Sequence, residues 1–212
     1  MSKTLHDTPR GINRTSGHRG ELMYKYVRAL ALSLLIHSIP AHAIVIEGVE
    51  VADTISFADG KTKLLLNGAG LREKLYIDVY IGALYVPAKT ADASTILSDD
   101  GPCSVRMYIL YKEISKQKLT DGWTDGLVAN LSKDELRSIQ PRLDAFNKLF
   151  TPVHKGDVLS IEYTPERGTE VRVNGEWRGA VEGNDFFRAL LKIWLGPNPV
   201  SKSLKQDMLN SN

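Results

Sequence analysis

Cysteine and histidine are nearly missing from the body of this 212-residue chain. A single cysteine, Cys103, excludes an intramolecular disulfide. Four of the five histidines, His6, His18, His37 and His42, fall within residues 1–43, leaving His154 alone beyond them. A zinc or redox-metal site therefore lacks ligands, and a Cys–His catalytic pair would require Cys103 to meet His154. Cys103 opens an alternating apolar segment and reads as a small core residue. His154, between Pro152 and Gly156, reads as a solvated loop residue. There is no phosphate loop and no Gly-x-Ser-x-Gly. Gly68-Ala-Gly70 lacks the third glycine of a dinucleotide fingerprint, because Glu73 stands there and a strand pattern follows where a helix is needed. No metal and no cofactor is expected.

Long apolar runs are also missing. One candidate, Ala29–Ile36, is too short to span a bilayer comfortably. It follows a basic start, Met23-Tyr-Lys-Tyr-Val-Arg28, and precedes Pro40 and the small-x-small triplet Ala41-His-Ala43. That is the layout of a signal peptide. The expectation is a leader over residues 1–43 with its functional start at Met23 and cleavage after Ala43, which implies a periplasmic or secreted protein. Residues 1–43 hold six Lys or Arg against two Asp or Glu. The remaining 169 residues then carry 21 basic and 23 acidic side chains, net −2, where the whole chain is +2. The basicity belongs to the leader, and no basic stripe with interleaved aromatics suggests a nucleic-acid surface. Residues 44–212 suit one domain with a real core.

Within that domain, Ile44–Val51 alternates as one strand, and Lys63–Leu66, Leu75–Val86 and Ser104–Leu110 read as three more. Ala91–Ser98 reads as a short helix. Ser115 is a plausible N-cap for a helix whose Leu119, Trp123 and Leu127 share one face. Ser132-Lys-Asp-Glu135 is a capping-box pattern, and Pro141 is expected to kink or restart the helix that follows. Asp157–Tyr163 alternates again, and Thr169–Val181 is a hairpin about Asn174-Gly175. Asn184 or Asp185 is expected to cap a helix carrying Phe186, Phe187, Leu190, Leu191 and Trp194, ended by Gly196. Val200–Leu209 reads as a terminal helix. Trp123, Trp177 and Trp194 occupy core-type positions. Strands and helices in this order predict α+β with a largely antiparallel sheet.

The most informative stretch is Asn67–Val86. It reads as a Gly-rich turn at Gly68 and Gly70, the lone cation Arg72, and an apolar strand with Tyr76, Tyr80 and Tyr85. A fixed guanidinium beside a phenol-lined apolar surface suits a ligand with an acidic end and an apolar body. The plainer alternatives are a buried strand with an arginine at its exposed end, or Arg72 paired with Asp78 or Glu73 or capping backbone carbonyls.

Asn67-Gly-Ala-Gly-Leu-Arg72, Ile81-Gly-Ala-Leu-Tyr-Val86, Asp121-Gly-Trp123 with Asn130, Gly156-Asp157 and Asn184–Gly196 together resemble the chalcone isomerase-like superfamily, especially its bacterial exported branch. The resemblance covers roughly residues 60–210. It implies an open-faced β-sandwich, a large antiparallel sheet covered on one face by a helical layer. The superfamily contains flavonoid-forming enzymes, fatty-acid-binding proteins and members without known catalysis. Its arginine corresponds to Arg72, and the enzymes' next-strand threonine to Tyr80, with Tyr85 as the alternative partner. The enzymes' helix-borne tyrosine and asparagine correspond to Ile114 or Ser115 and to Asp121 or Gly122, and their last-helix Ser or Thr to Phe187. With those donors gone, flavonoid cyclisation would lose orders of magnitude in rate.

The resemblance therefore implies a non-catalytic exported protein that binds a small apolar carboxylate such as a fatty acid. Arg72, Tyr80, Tyr85, Trp123, Phe187 and Leu190 are expected to form its ligand site, the partner being a small-molecule or lipid ligand and neither nucleic acid nor membrane span. The alternative is an isomerase or lyase performing intramolecular conjugate addition, with Arg72 as electrophile and a tyrosine as proton donor.

Overall fold

The computed structural model describes residues 43–210. The expected leader lies outside the described residues except for Ala43, the first residue of a strand. The alternating run after it is a hairpin and not one strand. Glu47 and Gly48 take positive φ (47° and 75°) and fold β1 (Ala43–Ile46) onto β2 (Val49–Ala52). Next come β3 (Thr54–Ser56), β4 (Lys63–Lys74), β5 (Ile77–Val86), α1 (Ala93–Ser98), β6 (Cys103–Ile109) and β7 (Glu113–Ile114). α2 (Lys116–Asn130) and α3 (Lys133–Lys148) follow, then β8 (Val153–His154), β9 (Val158–Thr164), β10 (Gly168–Val173), β11 (Glu176–Val181), α4 (Asn184–Leu195) and α5 (Lys202–Met208).

Seven strands form one antiparallel sheet in the order β11-β10-β9-β6-β5-β4-β3. Helices cover one face, as the resemblance implied. Leu84, Met107, Ile161 and Val171 meet Leu127, Phe146, Phe186 and Trp194 in the larger core. The other face carries a smaller cluster, with Val51, Ile55 and Phe57 against Leu64, Ile81 and Tyr85.

Local chemistry explains most of the boundaries. Ser115 Oγ accepts from the Lys118 amide, and Ser132 and Glu135 form the full reciprocal capping box. Asn174 and Gly175 supply the two positive φ angles of the β10–β11 turn. α3 runs as one helix through Pro141, which lies on its solvent side, so water can reach the Arg137 carbonyl that the proline leaves without a donor. The cap of α4 differs from expectation. Gly183, at φ 99°, holds that position with no side-chain cap, while Asp185 makes paired hydrogen bonds of 2.6 Å with Arg142 of α3. Trp177 is exposed and does not pack in the core.

The Gly-rich segment is the largest departure from the sequence reading. Gly68 and Gly70 lie inside β4, and neither has positive φ. The glycines are needed for space. A Cβ on Gly68 would fall on the Asp207 carbonyl, and one on Gly70 on the Asp207 side chain. One on Gly82 would come within 2.8 Å of Met208 Cε. The three glycines form a seat for α5. Asn67, buried at the bulge beside Gly68, fastens it by donating to the Met208 carbonyl at 2.8 Å and the Thr90 carbonyl at 3.0 Å. The actual turn is Leu75-Tyr76, two bulky residues at φ 51° and 64° that stand 83% and 96% exposed.

Candidate functional site

Beyond the glycine seat, the same face of β4 and β5 changes character. Arg72 pairs in register with Tyr80, just as Gly70 pairs with Gly82. Side chains alternate across a strand, so Arg72 and Tyr80 point to the helical layer. There they line a cavity of about 150 Å³. Its sheet side adds Met107 and Val79. Lys118, Leu119, Gly122 and Trp123 of α2 roof it, and Ile114, Ile193 and Val200 complete the walls. Toward the solvent it adjoins an outer cavity of about 460 Å³, lined by Leu75, Ile77, Tyr111, Asp121 and Asp125. Lys74, Val79, Ile114, Lys118 and Gly122 line both.

The inner cavity is rich in unspent hydrogen-bond donors. Arg72 donates through one Nη to the Glu73 carbonyl and forms no ion pair among the described residues, neither with Glu73 nor with Asp78. Tyr80 Oη accepts from Trp194 Nε1 at 3.1 Å. The phenol's own proton is left without an acceptor among the described residues. Burial pushes that phenol up to about 12, opposed by the Trp194 hydrogen bond and by the nearby Arg72 charge, so it is protonated at neutral pH. The buried Trp123 Nε1 also lacks an acceptor among the described residues. The charged residues of this cavity, Arg72, Lys74 and Lys118, are all cationic, and no carboxylate or imidazole among the described residues lines it. Arg72, Tyr80 and Trp123 as donors, with Lys74 and Lys118 as further cations around an apolar floor, suit an anionic group whose oxygens accept hydrogen bonds.

Of the six residues expected to form the site, the structure brings together Arg72, Tyr80 and Trp123. Tyr85 lies on the opposite face, fully buried, with its hydroxyl donating to the Ala52 carbonyl at 3.0 Å and lying 3.5 Å from Tyr108 Oη. Its expected role beside Arg72 is therefore corrected. Strand parity was the available signal, because residues five apart on one strand cannot share a face. Phe187 and Leu190 are also corrected. Phe187 stacks on Tyr163 with ring centroids 4.8 Å apart and borders a separate cavity near Pro87 and Pro102. Leu190 is a fully buried core residue that lines neither cavity. About 9 Å of helix rise separates Phe187 from Ile193, the residue of α4 that does reach the site.

Sequence reasoning missed Met107, Lys118, Ile193 and the tether from Trp194, and it named Gly122 only as one of two matches to the enzymes' asparagine. Lys118 and Gly122 could have been found, since they sit beside Leu119 and Trp123 on a helix whose face was legible. Met107 could not, because its place depends on β6 pairing with β5. Asp78 is exposed, and Cys103 is a buried thiol pushed up to about 12 by burial.

The comparisons with known proteins agree with this architecture. Fatty-acid-binding protein 2 of Arabidopsis thaliana is 25% identical over 131 residues, which is 58% of this chain and 33% of that protein. The chain thus spans about a third of the length of that relative. A crystal structure of an Arabidopsis thaliana fatty-acid binding protein matches with a TM-score of 0.61 at 18% identity, over 80% of this chain and 96% of the other. That likeness is one of fold. A sequence model described as chalcone isomerase-like matches residues 43–210, all of the described sheet and helical layer, and the chain belongs to the chalcone isomerase-like family.

Proposed function

We propose that this protein binds a small apolar carboxylate, such as a fatty acid, without chemical turnover. The observation that carries the reading is the set of unspent donors in the inner cavity. A carboxylate seated there would accept from Arg72 and from the protonated Tyr80. Both similar plant proteins are named for fatty-acid binding, which independently supports an acid of that type. Binding is favoured over proton-transfer chemistry because the inner cavity has no carboxylate or imidazole among the described residues to move a proton, and because a phenol near 12 is a weak acid at neutral pH. Arg72 is half-buried, so its desolvation on ligand entry is partial and the charge-assisted pair can be net favourable.

Titration calorimetry of residues 44–212 with decanoate tests this. Binding is expected for the wild type and about tenfold or more weaker binding for Arg72→Ala, since a hydrogen bond to a charged group is worth about 1.5–3 kcal/mol. Equal affinities, or no binding to either, would overturn the reading. We propose further that the protein acts in the periplasm or after secretion. N-terminal sequencing of exported material should begin at Ile44, and an intact Met23 on all of it would refute the leader.

A further inference from the structure

Two glycines lie one helical turn apart on α2, at positions 122 and 126, and only one has a packing reason. A Cβ on Gly126 would come within 2.9 Å of the Ile193 side chain, so this glycine lets α2 approach α4. A Cβ on Gly122 would meet nothing within 4 Å. Glycine inside a helix costs about 1 kcal/mol relative to alanine, and no contact at Gly122 offsets that. Gly122 does, however, line both the inner and the outer cavity.

The cavity sizes show what the gap is for. The inner cavity, about 150 Å³, matches an engineered cavity that holds a single benzene. It is below the roughly 300–1,000 Å³ of typical ligand sites. An acid with a medium-length chain cannot fit inside it. The way deeper is closed, because Trp123 packs against Trp194 and Phe150 at centroid distances of 5.9 and 5.5 Å. The outer cavity, about 460 Å³, is within the usual range and has Ile77, Val79, Tyr111 and Ile114 for an apolar chain. Charge fixes the direction. In the outer cavity Asp121 and Asp125 offset the shared Lys74 and Lys118, whereas the inner one sets those lysines beside Arg72 with no carboxylate from the described residues to offset them.

Resting on the acid-binding reading, we propose that Gly122 is the passage over which the chain of a bound acid leaves the inner cavity. The ligand then lies with its carboxylate at Arg72 and Tyr80 and its tail outward along Ile77, Val79, Tyr111 and Ile114. Chain-length preference is set by the outer cavity and not by the core.

Gly122→Leu tests the passage, because leucine favours the helix and its side chain would fill the gap. Calorimetry with decanoate should show about tenfold or more loss of affinity in Gly122→Leu, with a thermal midpoint equal to or above that of the wild type. A second measurement uses the wild type alone. An undecanoate bearing a dansylamino group at its far end should bind within a few-fold of undecanoate, because that end lies in the outer cavity. Gly122→Leu binding decanoate within about twofold of wild type, while Arg72→Ala loses it, would overturn the passage and leave the acid-binding reading standing. More than tenfold discrimination against the dansyl acid would also overturn it. Failure of the wild type to bind any of these acids would overturn the acid-binding reading, and the passage with it.

Discussion

One face of the β4–β5 pair holds two neighbouring regions built on opposite principles. At one end Gly68, Gly70 and Gly82 have no side chains, and α5 rests on bare backbone. At the other end Arg72 and Tyr80 have large polar side chains, and although Trp194 of α4 bonds Tyr80 and α2 roofs the space beside them, a cavity remains. The strands, the sheet face and the register are shared, so the difference comes from the side chains alone. Where side chains are absent the layers close. Where they are long and polar, the layers stand apart, and the Tyr80 hydroxyl proton has no acceptor among the described residues. Stability is concentrated at the glycine end and recognition at the arginine end.

The comparison breaks most easily at the glycine end. Gly68→Val would drive its side chain into the Asp207 and Met208 backbone, and overpacking of this kind costs about 3 kcal/mol. Urea unfolding should show that loss, and an unchanged midpoint would mean that α5 does not need the seat. Tyr80→Phe comes next, because it takes the acceptor from buried Trp194 Nε1. A loss of about 2 kcal/mol is expected, together with weaker decanoate binding.

A smaller effect belongs to pH. The Arg142 hydrogen bonds hold the Asp185 carboxyl below the usual range. A depressed carboxylate adds stability that is full above its unfolded value, near 3.9, and is lost as pH falls through its folded value. The urea midpoint should therefore hold from pH 7 to about 5 and decline below 4, with a shallower decline in Asp185→Asn. Arg72→Ala should move stability least, by within about 0.5 kcal/mol, although it should move ligand affinity most. If it destabilised the fold as much as Gly68→Val does, Arg72 would be a structural residue and the contrast would collapse.

What could be read from the sequence follows from how local each signal is. Ser115, the Ser132–Glu135 box and Asn174-Gly175 act within a few residues, and each stands where its pattern places it. The sheet-and-helix architecture was legible for the same reason, helped by the family resemblance. The glycines of β4 differ from their sequence reading because one letter serves two physical ends. A glycine that supplies positive φ and one that clears space for a helix look alike until the helix is in place. Leu75-Tyr76 gave no turn signal, since bulky residues seldom adopt positive φ. In the site, Arg72 and Tyr80 were legible as a cation and a phenol on adjoining segments. The cavity itself depends on where α2 crosses β4–β6, which no short pattern encodes.

The clasp between Asn67 and the Met208 carbonyl joins positions 141 residues apart. Until residue 208 has been synthesised, the glycine groove has nothing to hold, and the apolar face around Gly82 and Leu84 has no cover from α5. A nascent chain paused before that point would carry a sheet face without its cover, with the exposed apolar surface that holdase chaperones recognise. Closure then waits on this long-range encounter, which carries the loop-closure cost of the long chain between its two ends. Emergence of α5, more than that of any strand, marks the moment when the domain can become native.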